Sequence, residues 1–196
     1  MGACQAFFRA AKESCQNDLL ARCAPALSRT GNVSLTPCQQ HDPLNMEGFV
    51  VYVDGSWDQA GGAGIGVYLL QNGSLVRWIS KGVRASTSDQ AEALAVLEGL
   101  QILHLAIGEG RVLSDSTDIV SAIQAATPVI TNWRAFSEIW QSWKLRVQSQ
   151  GKYRVLHCNR EDATLKIAHK LANQGRTYGW EKTGCTENDL NMEELV

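Results

Sequence analysis

Three carboxylates in this chain stand where they can do chemistry together. Asp54 closes an apolar run in VDGS, Glu92 lies 38 residues on in QAEA, and Asp115 a further 23 on in LSDS. Brought to one place they repel one another unless a cation sits between them. Hard oxygen ligands with open positions suit Mg²⁺ or Mn²⁺. Each residue also has an ordinary use. Asp54-Gly55 can be a plain turn, Glu92 the capping-box partner of Asp89, and Asp115 the N-cap of a following helix.

The flanking patterns specify the elements that must position these groups. FVVYVD is a short β-branched run and reads as a buried strand. GAGIGVYLL reads as a second strand. Asn72-Gly73 then signals a hairpin, since both turn residues tolerate positive φ. SLVRWISKGVR alternates as a third strand. A long helix follows, with Asp89 as its expected cap and Leu94, Leu97, Leu100 and Leu103 on its apolar face. RVLSD is a fourth strand and Thr117 to Ala126 a short helix. Asn132 caps a helix bearing Trp133, Trp140 and Trp143, whose spacing reads as one packed face. KYRVLHC is a fifth strand, and Asp162 to Asn173 a last helix stopped by Gly175.

Three antiparallel strands followed by strands alternating with helices predict an α/β fold. Its sheet is five-stranded and mixed, three antiparallel strands then two parallel, with helices on both faces. Strands one and four, if adjacent and parallel, deliver Asp54 and Asp115 side by side at the carboxyl edge, where open α/β sheets bind ligands. Residues 48–178 form this domain. Residues 1–47 form an extension, helical over 3–24 and then a linker holding Pro25, Pro37 and Pro43. Residues 179–196 are expected to be an acidic, mobile tail.

Composition narrows the function. The 196 residues are 44% hydrophobic and 19% charged, with net charge −2. No run approaches the roughly 18 apolar residues of a membrane span. The N-terminus lacks a secretory pattern, so a cytoplasmic or nuclear protein is expected. Residues 48–178 carry thirteen Lys and Arg against eleven Asp and Glu, too even a balance for a protein that coats DNA. The six cysteines include no C-x-x-C pair, so ordinary reduced thiols are expected. Met1-Gly2 with Cys4 has the outline of a lipidation signal, but Ala6 stands where Ser or Thr is required. The glycines at 61, 62, 64 and 66 fall between antiparallel strands. They are therefore not a nucleotide loop, which argues against a small-molecule α/β enzyme.

VDGSW, GGAGIGV, DQAEALAVLEGLQ, LSDSTDIV and LHCNREDATLKIAHKLANQG together resemble the type 1 ribonuclease H-like superfamily. The nearest likeness is to the ribonuclease H domain of plant proteins and retrotransposon reverse transcriptases. The resemblance implies a metal-dependent endonuclease that cuts the RNA strand of RNA–DNA hybrids, with two Mg²⁺ (or Mn²⁺) ions held by four acidic residues. The sequence leaves the oligomeric state open, with a monomer expected. It assigns the ions to Asp54, Glu92 and Asp115. The fourth acidic position is His169 here, in a block two residues longer than the family pattern. His169 is either a metal ligand, better for Mn²⁺ than Mg²⁺, or a residue on the last helix without that role. Asp162 is a lesser candidate for the same position. His157, at the end of the fifth strand, is read as structural.

The same resemblance places Gly55, Ser56, Ser88 and Gln90 against the minor groove of a hybrid, where backbone N–H groups and small polar side chains read 2′-hydroxyls. Turn and cap chemistry explains these four equally well. Lys144, Arg146, Lys152 and Arg154 can reach phosphates or simply solvate a helix face. No basic extension precedes the last helix. That absence, with His169, leaves a second reading: a catalytically weak or inactive module that binds nucleic acid or a protein.

Overall fold

A computed structural model describes residues 48–105, 109–128, 132–186 and 189–190. The helix expected over 3–24 and the linker that follows lie outside the described residues. Strands β1 (Phe49–Trp57), β2 (Ala63–Gln71) and β3 (Ser74–Gly82) form an antiparallel meander. Helix α1 (Ser88–Leu105), strand β4 (Gly110–Ser114), helices α2 (Thr117–Gln124) and α3 (Phe136–Gln148), strand β5 (Tyr153–His157) and helix α4 (Ala163–Tyr178) follow. Strand β6 (Glu181–Gly184) completes a sheet of order β5-β4-β1-β2-β3-β6. Strands β4 and β5 run parallel to β1, as the alternation with helices requires.

Among the described residues the sheet therefore has six strands and not five. The sixth comes from the segment expected to be tail, and pairs antiparallel with β3 from Trp78↔Gly184 to Lys81↔Glu181. EKTG carries no alternating apolar pattern, so nothing in its sequence announced a strand. Its pairing is made by the backbone and by the Thr183 hydroxyl, which donates to the Trp78 carbonyl at 2.9 Å.

β1 sits at the centre and is buried on both faces, which accounts for its unbroken apolar run. Its side chains alternate with period two. Val51 and Val53 enter the core beneath α1, α2 and α3, with Val96, Leu100, Ile123 and Ile139. Val50 and Tyr52 enter the core beneath α4, with Leu165, Ala168 and Leu171. The Asn72-Gly73 turn joins β2 to β3 with φ of 49° and 81°, as its residues predict.

Helix α4 lies unusually close to β2. A Cβ on Gly66 would collide with the Ala168 carbonyl oxygen, and one on Gly64 with the Arg176 backbone nitrogen. Gly175 does not stop this helix, contrary to expectation. It lies inside it, because any side chain there would strike the Lys81 backbone. The helix ends at Gly179, with φ of 71°. Trp143 is buried and stacks on Trp140 with centroids 5.4 Å apart, as expected of a packed face. Trp133 departs from that expectation. It lies in a short 3₁₀ turn before α3, 71% exposed, with the Arg134 guanidinium over its ring.

Candidate metal centre

β1 and β4 pair in register as far as Tyr52↔Leu113, so the chain delivers Asp54 and Asp115 at matching positions just beyond the ladder. By the period-two rule, Asp54 follows Val50 and Tyr52 onto the α4 face. It is 3% exposed. Gly55 turns the opposite way and abuts α1 so tightly that a Cβ would collide with the Ala91 carbonyl carbon and the Glu92 nitrogen. This close approach brings the first turn of α1 over the strand end. There the Gly55 N–H donates to Glu92 Oε2 at 3.2 Å.

Glu92 is not a capping partner of Asp89. Thr87 caps α1, its Oγ1 accepting from the Gln90 N–H at 3.2 Å, and the Gln90 side chain reaches back to the Ser86 N–H at 2.8 Å. Asp89 instead accepts from Asn132 Nδ2 at 2.8 Å. Asp115 is not a helix cap either. Ser116 holds the cap position of α2, and Asp115 faces Arg160 at 3.7 Å. The ordinary uses of Glu92 and Asp115 are thereby excluded. One carboxylate oxygen from each of Asp54, Glu92 and Asp115 lies within 4.8 Å of the other two.

Electrostatics fit a cation at this convergence. Burial, followed by the negative charges of Asp54 and Asp115, pushes the Glu92 carboxyl well above its ordinary range. Burial also raises Asp54, outweighing the hydrogen bond and charge of His169. Carboxylates so placed hold protons more tightly than usual, and a divalent ion removes the conflict. Three hard oxygen donors with an open cleft above them match Mg²⁺ or Mn²⁺ in chemistry.

His169 is brought to this site by α4, but as a neighbour of Asp54. Its Nδ1 lies 3.0 Å from Asp54 Oδ2 and its Nε2 lies 3.0 Å from Asn173 Nδ2. The bond to Asp54 raises the imidazole's pKa, with burial opposing. Asp162 does not move in. It caps α4, its Oδ1 accepting from the N–H groups of Thr164 at 2.8 Å and Leu165 at 3.0 Å.

Of the expected groove contacts, Gly55 and Ser56 lie beside the carboxylates. Ser56 is buried and donates to Asn173 Oδ1 at 2.6 Å. Ser88 is exposed at the start of α1. Gln90 is tied to Ser86 and, through Nε2, to Glu138 Oε1 at 3.3 Å. Arg146 is committed to the Ala125 carbonyl, while Lys144 on α3, Lys152 in the turn before β5 and Arg154 on β5 are exposed. His157 is exposed at the end of β5.

The cleft above the carboxylates is lined by Asp54, Asp115, Arg160, Glu161, Lys166 and His169. The sequence reading missed Arg160 and Lys166 as its basic groups, and missed Asn173. The signal for Asn173 was present: it stands four residues after His169, one helical turn along the same face.

The reverse transcriptase-like family profile matches residues 52–175. The chain belongs to this family and carries a ribonuclease H-like domain. Solved structures agree in fold. Ribonuclease H1 isolated from compost by a metagenomic approach is 22% identical, with a TM-score of 0.59 over 67% of this chain and 97% of its own. The N-terminal ribonuclease H domain of a Mycobacterium tuberculosis protein is 20% identical, with a TM-score of 0.55 over 65% of this chain and 98% of its own. The foamy viral protease-reverse transcriptase, solved with an RNA/DNA hybrid, is 16% identical, with a TM-score of 0.58 over 77% of this chain and 23% of its own. No curated protein matches the chain in sequence. Among the described residues, no helix is long and apolar enough to cross a membrane.

Proposed function

We propose that this ribonuclease H-like domain is a divalent-metal-dependent endonuclease that hydrolyses the RNA strand of RNA–DNA hybrids. The observation that carries the reading is the convergence of Asp54, Glu92 and Asp115 within 4.8 Å at the carboxyl edge of the sheet. Support comes from the family and from its relative the compost ribonuclease H1, which has been solved in complex with an RNA/DNA hybrid.

Asp54, Glu92 and Asp115 would hold the ions, two Mg²⁺ in the full scheme. Such ions supply Lewis-acid stabilisation at the attacking water and the leaving 3′ oxygen. The chain's own part is positional. The Gly55 N–H orients Glu92, and the packing of α1 on Gly55 fixes the distance between helix and strand. The cations of the cleft are Arg160, 3.7 Å from Asp115, and Lys166, paired with Glu161 at 2.6 Å; a phosphodiester backbone passing there would compete for them. Ser88 and Gln90, at the start of α1, would face the minor groove, while Gly55 and Ser56 sit behind them, packed against α1 and Asn173.

The test is cleavage of a labelled hybrid in Mg²⁺ and, separately, in Mn²⁺, alongside Asp54→Asn. RNA-strand products that vanish in the variant support the reading. Folded protein that cuts in neither metal removes it. One observation favours a second reading. His169, without negative charge, occupies the fourth position and engages Asp54 directly. A domain that binds hybrid and cuts it poorly would have this form.

A further inference from the structure

A hydrogen-bonded chain runs from the β1–β2 turn along α4 to the carboxylates. Arg176 Nη1 donates to Asp58 Oδ2 at 2.7 Å, which anchors the guanidinium. Arg176 Nη2 points at Asn173 Oδ1 at 3.5 Å, and the Ser56 hydroxyl donates to the same oxygen at 2.6 Å. Arginine can only donate. The amide oxygen of Asn173 must therefore face Arg176, and its NH₂ must face His169. Nε2 of His169 then has to accept, since two donors cannot face each other at 3.0 Å. The ring proton is left on Nδ1, aimed at Asp54 Oδ2.

We infer that Asn173, oriented by Arg176 and Ser56, is a positioning residue that holds His169 in its Nδ1–H tautomer, so that His169 donates to Asp54 and does not ligate metal. This rests on the reading of Asp54, Glu92 and Asp115 as the metal ligands. Protonated Nδ1 has no lone pair for an ion, and Nε2 spends its own on Asn173. His169 thus fixes the rotamer of Asp54 from outside the ion's shell, as hydrogen-bonded partners of metal ligands commonly do. Of the two roles the sequence left open for His169, this is the one without ligation, and it leaves Asp54's other oxygen free for a cation.

The test is ¹⁵N spectroscopy of the intact chain labelled at histidine. It has four histidines, so subtraction of a His169→Gln spectrum assigns the resonance. The expected result is a one-bond N–H coupling at Nδ1 and none at Nε2, unchanged on saturation with Mg²⁺. Asn173→Asp puts an acceptor against Nε2 and should bring a proton there. A coupling at Nε2 in the wild type, alone or with one at Nδ1, overturns the assignment. So does loss of the Nδ1 proton on adding Mg²⁺. Carboxyl ¹³C shifts of Asp54, Glu92 and Asp115 report metal binding in the same titration. If they do not move, the metal reading fails, and the tautomer seen without Mg²⁺ still decides the role of Asn173.

Discussion

The backbone N–H of Gly55 donates to Glu92 Oε2 across the strand–helix contact, at 3.2 Å. This is the link that carries the first turn of α1 into the site. It also means that Glu92 is held, half-buried, close to two other carboxylates, at a cost in free energy without a cation.

That cost has a sign. The folded pKa of Glu92 is raised, chiefly by burial and then by Asp54 and Asp115. Between the ordinary glutamate range and the raised value, the folded state binds more protons than the unfolded one. Stability from this group therefore falls as pH rises through that window. Metal-free protein should lose Tm on going from pH 5 to pH 8 more steeply than Glu92→Gln does. Mg²⁺ should reverse the loss by binding the folded state alone. Parallel curves for the two proteins in thermal melts would show that Glu92 carries no such penalty.

Removal of a carboxylate should end the chemistry and leave the fold. Changing a mere supporting partner of a metal ligand costs about 10–100-fold. Asp54→Asn and Asp115→Asn should therefore each reduce hybrid cleavage by more than about a hundredfold. Single-turnover rates on labelled hybrid, with circular dichroism as the fold control, check this. Strong residual cutting in either variant would contradict the proposed function.

His169→Asp restores negative charge beside Asp54, where an imidazole now donates. Cleavage in Mg²⁺ should rise relative to cleavage in Mn²⁺, because the new carboxylate adds a hard oxygen donor, which Mg²⁺ depends on more than Mn²⁺ does. The ratio of the two rates is the readout. An unchanged ratio would mean that the fourth position does not influence metal choice.

Gly66→Ala tests how α4 is seated. The new methyl meets the Ala168 carbonyl oxygen, which is backbone and cannot swing aside. Overpacking of this kind costs about 1–3 kcal/mol, a fall of about 2–12 °C in Tm for a domain of this size. Thermal melts measure it. Metal affinity should fall as well, since displacement of α4 moves His169 and Asn173 away from Asp54 and Ser56.

Cys158 should be chemically quiet. Burial, and then Asp162, pushes its thiol up to about 11, so almost none is thiolate at pH 8. Peptide mapping after brief iodoacetamide treatment should find Cys185, which is exposed, alkylated and Cys158 intact. Rapid modification of Cys158 would show that its strand end opens.

Much of this arrangement was legible in the residues. The run from Phe49 to Asp54 had to be a doubly buried strand, and Asn72-Gly73 had to turn, so the meander and the place of Asp54 followed. The alternation of strands and helices after α1 set β4 beside β1, and with it Asp115. Long-range polar choices were less legible. Asp89 looked like a cap, but Asn132 claims it from 43 residues away. Gly175 looked like a helix stop, because a helical glycine selected for contact with a strand has the same letter as one selected for a left-handed turn. His169 was found at the right position, while the bond of its partner Asn173 to Ser56 joins residues 117 apart, which spacing along the helix does not report. The β6 strand was invisible because its bonds are backbone bonds that any short polar segment can make.

That sixth strand lies beyond the family match, which ends at residue 175. A domain trimmed to the match would lose Arg176 and the last turn of α4, and would strip β6 from β3. The outer rim of β3 would then offer a row of open amide and carbonyl groups, and the Trp78 ring would lose Gly184, which packs directly against it. Bare rims of this kind recruit other chains. EKTG is thus the selvedge of this sheet, the finished border that keeps the fabric from joining to its neighbour.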